Sequence, residues 1–305
     1  MSFFISVLKC LNTIKSQAEE ITRIHSVYVV DNRNRLKGRL SLKDLLTANP
    51  RDKVKDIYIP KVDFVSIDQD GEEVAKIMTK YDLEAIPVVN KKKELVGRIT
   101  IDDILDLIKE EAEKDYQLAA GIATDVEADD TIFELTRARL PWLFFGLIGG
   151  LGSVFILQEF ETIMTRPDLR TLFFYTPLIA AMAGNVGVQS SAIIVQGLAN
   201  DNLKGSLLSR LVKEIGLSLI SGFTLSILLI VFGQIINQDL KLSLTIALSM
   251  MSVIIIAALV GTFTPIILNN RGIDPAIATG PFITTSNDIF GIFLFFYIAK
   301  IILGF

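Results

Sequence analysis

Residues 275–303 read PAIATGPFITTSNDIFGIFLFFYIAKIIL. The stretch is long enough to cross a hydrocarbon core, which needs about 20 apolar residues. Its first half nevertheless carries Gly280, Pro281, Thr284, Thr285, Ser286, Asn287 and Asp288, and Lys300 stands near its end. An aspartate near mid-membrane costs about 2.5–3.5 kcal/mol on insertion scales, so Asp288 is expected to face protein or water. Pro281 has no N–H to offer the carbonyl of Ile277, which on a continuous helix leaves that oxygen free to bind something else. Positions 277, 281, 284 and 288 recur at three- and four-residue steps and so share a helix face. A freed carbonyl, a threonine hydroxyl and a carboxylate on one stripe form an all-oxygen lining of the kind hard cations prefer. The competing reading, a carboxylate satisfied by a neighbouring helix, lacks an obvious basic partner because few other ionisable groups lie inside apolar stretches.

Four further stretches of spanning length precede this one, at approximately 142–160, 171–199, 215–236 and 242–268, uncharged apart from Glu159. Trp142 follows Pro141 where the first begins, at the level where an aromatic ring meets the headgroups. The second contains Pro177, Gly184, Asn185, Gly187, Gln189, Ser190 and Ser191. Asn185 and Gln189 share a face, as a second polar lining or as interhelical hydrogen-bonding groups, with the glycines as packing positions. An odd number of spans puts the termini on opposite sides. Arg137, Arg139, Lys204, Arg210, Lys213 and Arg271 then fall with the N-terminal part, and Arg166, Arg170, Lys241 and Lys300 fall opposite. That bias favours a cytoplasmic N-terminal domain.

Upstream the chemistry changes. Residues 1–140 hold 22 Lys+Arg and 26 Asp+Glu, whereas residues 141–305 hold 8 of each. A soluble acidic part of net charge −4 therefore precedes a neutral membrane part, and the whole-chain mean hydropathy of +0.48 describes neither. A wholly soluble enzyme is excluded, as is a disulfide scaffold, since Cys10 is the single cysteine. A pI near 5.2 argues against a nucleic-acid partner. Met1–Val7 lacks the basic region of a secretory leader. The single histidine, His25, adjoins a predicted strand, and no nucleophile–base pair is visible, so no enzyme is expected.

An internal repeat emerges when residues 29–46, VVDNRNRLKGRLSLKDLL, are laid on residues 88–105, VVNKKKELVGRITIDDIL. Val29/Val88, Val30/Val89, Leu36/Leu95, Gly38/Gly97, Arg39/Arg98 and Asp44/Asp103 coincide at an offset of 59. Each copy reads as a strand, a polar turn, a second strand and a helix whose start Ser41 or Thr100 can cap. The pattern resembles a tandem CBS-domain pair, whose copies end in Gly-h-h-Ser/Thr-h-x-Asp. The initial strand of the first copy looks missing or degraded. The resemblance implies a dimerising, ligand-sensing module with ATP as a candidate ligand. Asp44 and Asp103 stand where that family contacts ribose, with a plain helix cap as the alternative.

Asp102, Asp103, Asp106, Glu110, Glu111 and Glu113 crowd one helix, where like charges at i,i+4 repel by a few tenths of a kcal/mol each. Asp68, Asp70, Glu72, Glu73 and Asp82 form a second acidic group. Bound divalent cations would relieve the repulsion; a solvated face is the bland alternative. Asp125–Asp130 is an acidic loop, and Thr131-Ile-Phe-Glu134 is a capping-box pattern opening a helix to Arg139 that leads into the membrane.

This order of parts resembles the MgtE family of magnesium channels and transporters. Asp31–Asp44, Gly184-Asn-Val-Gly-Val-Gln-Ser190 and Asp274-Pro-Ala…Gly280-Pro-Phe-Ile-Thr-Thr-Ser-Asn-Asp288 carry the match. The expected architecture is a cytoplasmic α+β tandem CBS pair followed by an all-α polytopic domain of five transmembrane helices in the cell (inner or plasma) membrane. The expected domains are a first CBS copy over 1–59, a second over 60–118, a connecting plug helix over 119–140 and a pore domain over 141–305. Family members usually carry a further acidic N domain before the pair, so a shortened member is expected. The resemblance implies a homodimer in the lipid bilayer with a Mg2+-selective pore at its axis. Asp288, Thr284 and Asn185 would line that pore, and Gly280, Pro281, Thr285, Gly187 and Gln189 would shape it. It also implies Mg2+ as regulator as well as substrate, at Asp70, Glu72, Asp82, Asp103, Asp106 and Asp274. Lys114 departs from the family pattern, which often has an acid there. The alternative function is an ion-coupled secondary transporter of Co2+, Mn2+ or Zn2+, for which broken helices are also typical.

Overall fold

The computed structural model describes residues 2–17, 26–200, 203 and 205–305; His25 and Lys204 lie outside the described residues. The chain divides into two compact units, Met1–Ala112 and Glu113–Phe305.

In the first unit the repeat holds down to single hydrogen bonds. Strands β1 (Val27–Val30), β2 (Leu36–Leu40) and β3 (Ile59–Pro60) form one sheet in that order, and β4 (Val65–Ser66), β5 (Ala85–Val89) and β6 (Leu95–Thr100) form the other. Each central hairpin carries a bulge at the same place, between Val29 and Val30 in one copy and Val88 and Val89 in the other. The tight turns also correspond. Asn34 and Lys93 both take positive φ, near 58° and 60°. Asp31 Oδ1 accepts the amides of Arg33 and Arg35, just as Asn90 Oδ1 accepts those of Lys92 and Glu94. The two turns then pair with each other: the Leu36 amide donates to Lys93 O at 3.0 Å and the Leu95 amide donates to Asn34 O at 2.8 Å. These reciprocal bonds make a local pseudo-twofold between the copies.

The degraded first strand is reduced to a single parallel bridge, Ser2 with Val30, where the second copy has β4 parallel to β5. Each copy keeps its own core. Val7 and Cys10 of α1 (Val7–Gln17) pack with Leu40, Leu45 of α2 (Leu42–Thr47) and Val54 of α3 (Val54–Ile57). Val74 and Met78 of α4 (Gly71–Lys80) pack with Ile86 and with Ile104 of α5 (Ile101–Ala119). Helices α2 and α5 begin at equivalent positions but end differently: α2 stops before Asn49-Pro50, where proline disfavours helix, and α5 runs on for 19 residues.

The second unit holds five helices long and apolar enough to cross a membrane: α6 (Ile132–Glu159), α7 (Thr171–Ala199), α8 (Leu207–Ile235), α9 (Leu240–Asn270) and α10 (Pro281–Leu303), the last preceded by a short 3₁₀ turn, Pro275–Ala278. Side-chain caps mark the starts of α6, α8 and α9. Thr131 and Glu134 form the expected capping box, and the Ser206 and Asp239 side chains accept the amides of Ser209 and Leu242. Helix α6 therefore does not end at Arg139 but continues through Pro141 as the first span, so residues 119–140 are a loop plus the first turns of α6 rather than a separate helix. Helix α9 is the hub, packing on α7, α8 and α10, while α6 leans on α10. Their shared core includes Leu172, Ile179, Ile246, Ile254, Phe295 and Phe296.

Candidate cation site between α7 and α10

Proline decides how the fifth span starts, though not as a mid-helix kink. Pro281 occupies the first position of α10 with Gly280 as its cap, where a missing N–H costs nothing. Ile277 lies in the separate 3₁₀ turn, so the expected stripe 277–281–284–288 is corrected: the helix does not reach Ile277, and its carbonyl is not freed by Pro281. Three hydrogen bonds fix the break instead. Asp274 Oδ1 accepts the Ala276 amide at 2.8 Å, the Thr279 hydroxyl donates to Ala276 O at 2.7 Å, and the buried Ser191 of α7 donates to Ala278 O at 3.0 Å. Asp274, expected as a regulatory ligand, thus caps this turn while half-exposed.

From that fixed start Thr284 and Asp288 reach α7 at Gly184. A Cβ on Gly184 would stand 2.9 Å from Asp288 Oδ1 and 3.0 Å from Thr284 Cγ2. Asp288 Oδ1 is buried with no hydrogen-bond partner among the described residues. The Thr284 hydroxyl reaches only Gly280 O, at 3.4 Å. A buried carboxylate oxygen without a donor is costly, which points to a group the chain itself does not supply.

Asn185 and Gln189 lie on an exposed face of α7, one turn apart, whereas Gly184, Gly187 and Ser191 are buried. Gly187 accordingly does not share the Asn185–Gln189 face. A methyl there would run into Asn287 Nδ2, and one on Gly261 of α9 would run into the Gly187 carbonyl. Thr285 turns to α6, where a methyl on Gly149 would meet its Cγ2. These two residues set helix separation and do not line the Asp288 stripe.

The start of α10 is also covered from the connector. A Cβ on Gly280 would collide with Ala119 O at the end of α5, and one on Gly121 would come within 2.5 Å of Pro281 Cγ. Gly121 has φ +78°, a conformation suited to glycine. The connector is tied down by the Ala123 amide donating to Ala138 O at 2.9 Å and by Gln117, whose amide exchanges two hydrogen bonds with the Val126 backbone.

The regulatory candidates are dispersed. Asp70 caps α4 by accepting the Glu72 amide, Glu72 is exposed in its first turn, and Asp82 is exposed at positive φ after the helix. Asp103 Oδ2 accepts the Thr100 amide at 2.9 Å and hydroxyl at 2.6 Å, which hold its carboxyl below the usual carboxylate range, and Asp106 is exposed one turn on. Asp44 accepts the Ser41 hydroxyl at 2.7 Å. Asp44 and Asp103 are thus engaged at helix starts. Among the described residues no three Asp, Glu, His or Cys side chains converge as a metal site, so the acidic crowding on α5 and α4 does not by itself assemble one within a chain.

Three participants escaped the sequence reading. Spacing ranks Ser191 and Asn287 with the other polar residues of their spans and gives no sign of Glu214; in the structure Ser191 donates to Ala278 O, Glu214 of α8 accepts the Ser190 hydroxyl at 2.5 Å, and Asn287 is buried beside Asp288. The adjacent Ser190-Ser191 pair in an apolar helix was the available signal for the first two.

Comparison with known proteins agrees with this layout. A family model described as a divalent cation transporter, MgtE, matches residues 176–298, and the CBS domain model matches 6–51 and 54–110. The magnesium transporter MgtE of Bacillus subtilis is 37% identical over 287 residues, covering 94% of this chain and 63% of the relative. That of Thermus thermophilus is 36% identical over 303 residues, covering 98% and 66%. The chain thus spans just under two thirds of the length of these relatives. A solved structure of the cytosolic domain of the Mg2+ channel MgtE in complex with ATP is 43% identical over 35% of this chain and 43% of that one, with a TM-score of 0.34.

Proposed function

Because the chain belongs to the MgtE family of divalent cation transporters, we propose that it moves Mg2+ across the membrane through a pore lined by α7 and α10. It is a multi-pass membrane protein with five spans. The observation that carries the reading is the buried, unpartnered Asp288 oxygen beside Gly184. Mg2+ sheds its waters reluctantly and is usually held through several of them. One carboxylate per chain only half-neutralises such an ion, so the site is completed by Asp288 of a second copy. The exposed Asn185 face of α7 then turns toward the axis and offers amides to the ion's waters. In liposomes Asp288→Asn and Asp288→Ala should abolish Mg2+ selectivity while leaving folded protein; retained selectivity refutes the assignment.

The break before α10 also suits an ion-coupled carrier. Flux that strictly requires a Na+ or H+ gradient would decide for that alternative.

Intracellular Mg2+ as the gating ligand is part of the same proposal. The dispersed acids Asp70, Glu72, Asp82, Asp103 and Asp106 suit ions shared between copies, and Asp274 sits at the base of α10. Helix α5 bears Asp103 and Asp106 near its start, and its last residue, Ala119, lies against Gly280. ATP has a candidate place in a cleft of ≈110 Å³ lined by Tyr28, Arg39, Lys61 and Asp63. Its cations suit phosphate, but ligand pockets start at about 300 Å³, so binding requires the cleft to widen.

A further inference from the structure

Asn287 is 1% exposed, a primary amide inside a helical bundle. Its Nδ2 donates to the Ala257 carbonyl of α9 at 3.5 Å and lies against the bare backbone of Gly187 on α7. One turn earlier, Ile283 is 2.8 Å from the Cβ position of Gly187. One turn later, a Cβ on Gly291 would meet Ala183 Cβ at 2.8 Å and Val253 Cγ1 at 3.3 Å. Residues 283, 287 and 291 thus form one stripe of α10 seated in the groove between α7 and α9, with no room for an added methyl at Gly187 or Gly291.

An amide is a poor choice for filling that groove. Burying it costs more than burying leucine unless its hydrogen bonds are made, and the one to Ala257 O is long. What it adds is direction, because only one rotation of α10 aims Nδ2 at Ala257 O while fitting over Gly187. Successive residues lie 100° apart, so fixing Asn287 fixes Asp288. A carboxylate about 5 Å from the helix axis moves roughly 2 Å for a 20° rotation. Misplacement by about 1 Å is already enough to spoil a site.

We infer that Asn287 is a positioning residue for cation selection: its amide, held between Gly187 and the Ala257 carbonyl, sets the rotation of α10 that presents Asp288 at Gly184. This rests on the reading of Asp288 as the cation site.

The test uses the full chain in liposomes and reads maximal flux, half-saturating Mg2+ and the Mg2+ to Ca2+ flux ratio, with thermal stability of the same preparations. Asn287→Ala should raise the half-saturating Mg2+ and lower the flux ratio about tenfold, beyond any fall in maximal flux. Gly187→Ala alone should lower stability through the clash with Asn287. In Gly187→Ala/Asn287→Ala the worst clash goes with the amide and the contact with Ile283 Cγ2 stays, so stability should recover in part while the ratio stays low. Recovery of the ratio together with stability would show that Asn287 only fills space and would overturn the inference. So would Asn287→Ala that changes maximal flux alone while Asp288→Asn abolishes the ratio. If Asp288→Asn keeps the ratio, the reading of Asp288 fails first and this inference falls with it. Should Asn287→Ala not fold, the double variant, whose new methyl refills part of the space, decides by its ratio.

Discussion

Asp31 and Asn90 close the same turn in the two repeats with different chemistry. The Asp31 carboxylate accepts the Arg35 and Arg33 amides and the Arg35 guanidinium at 2.9 Å, and these hold its pKa at about 2, below the ordinary 3.8. A depressed acid contributes its stabilisation above its unfolded value and loses it as pH falls through the folded one. The turn over 31–35 should therefore loosen between pH 4 and pH 2 more than the Asn90 turn, whose closing amide oxygen does not titrate. Amide exchange at Arg33 and Arg35, measured relative to Lys92 and Glu94, should accelerate over that window. In Asp31→Asn the ratio should stay flat, and a native-like acceleration in that variant would refute the assignment to this carboxyl.

At the scale of elements, the start of α10 is set by a partner on another helix. Ser191→Ala would leave the Ala278 carbonyl buried and unpaired, a loss of about 1–3 kcal/mol, whereas Ser191→Thr retains the donor. Reversible SDS unfolding of the two variants should separate them by that amount, and equal stabilities would remove Ser191 from the account. The same junction shows what the sequence could and could not disclose. Spans, caps and the 59-residue repeat depend on periodicity and on residues within a few positions of each other, so they were readable. That Pro281 stands at the first position of its helix goes with Asp274 and Thr279 nearby and with Ser191 about 90 residues away, and spacing alone does not disclose the last. The resemblance makes Gly187 and Thr285 pore-shaping residues; in the structure they pack against Asn287 and Gly149, contacts that spacing does not disclose. The carboxylate at 288 was found because its cost in lipid is visible without neighbours. The dispersal of the acidic groups was not, since crowding in sequence says nothing of whether side chains converge.

At the scale of the molecule, the proposed pore requires two copies with their α7 faces opposed. Cys10 is buried and the single cysteine, so a Cys10→Ser background accepts one new thiol cleanly. Asn185→Cys should then be captured as a dimer by a short bis-maleimide in membranes, and Ile220→Cys, 71% exposed on α8, should not. Equal capture at both positions would contradict the placement of the axis. The soluble unit adds a point about inheritance. Two copies that agree in bulge, turn and reciprocal hydrogen bond differ in their outer strands and in their tails: α2 is cut off at Thr47 while α5 continues to Ala119, which lies against Gly280. Duplication alone would have produced two copies with equal tails. The unequal tails break that parity: the first copy closes on itself, and its twin carries the helix that runs on into the rest of the chain.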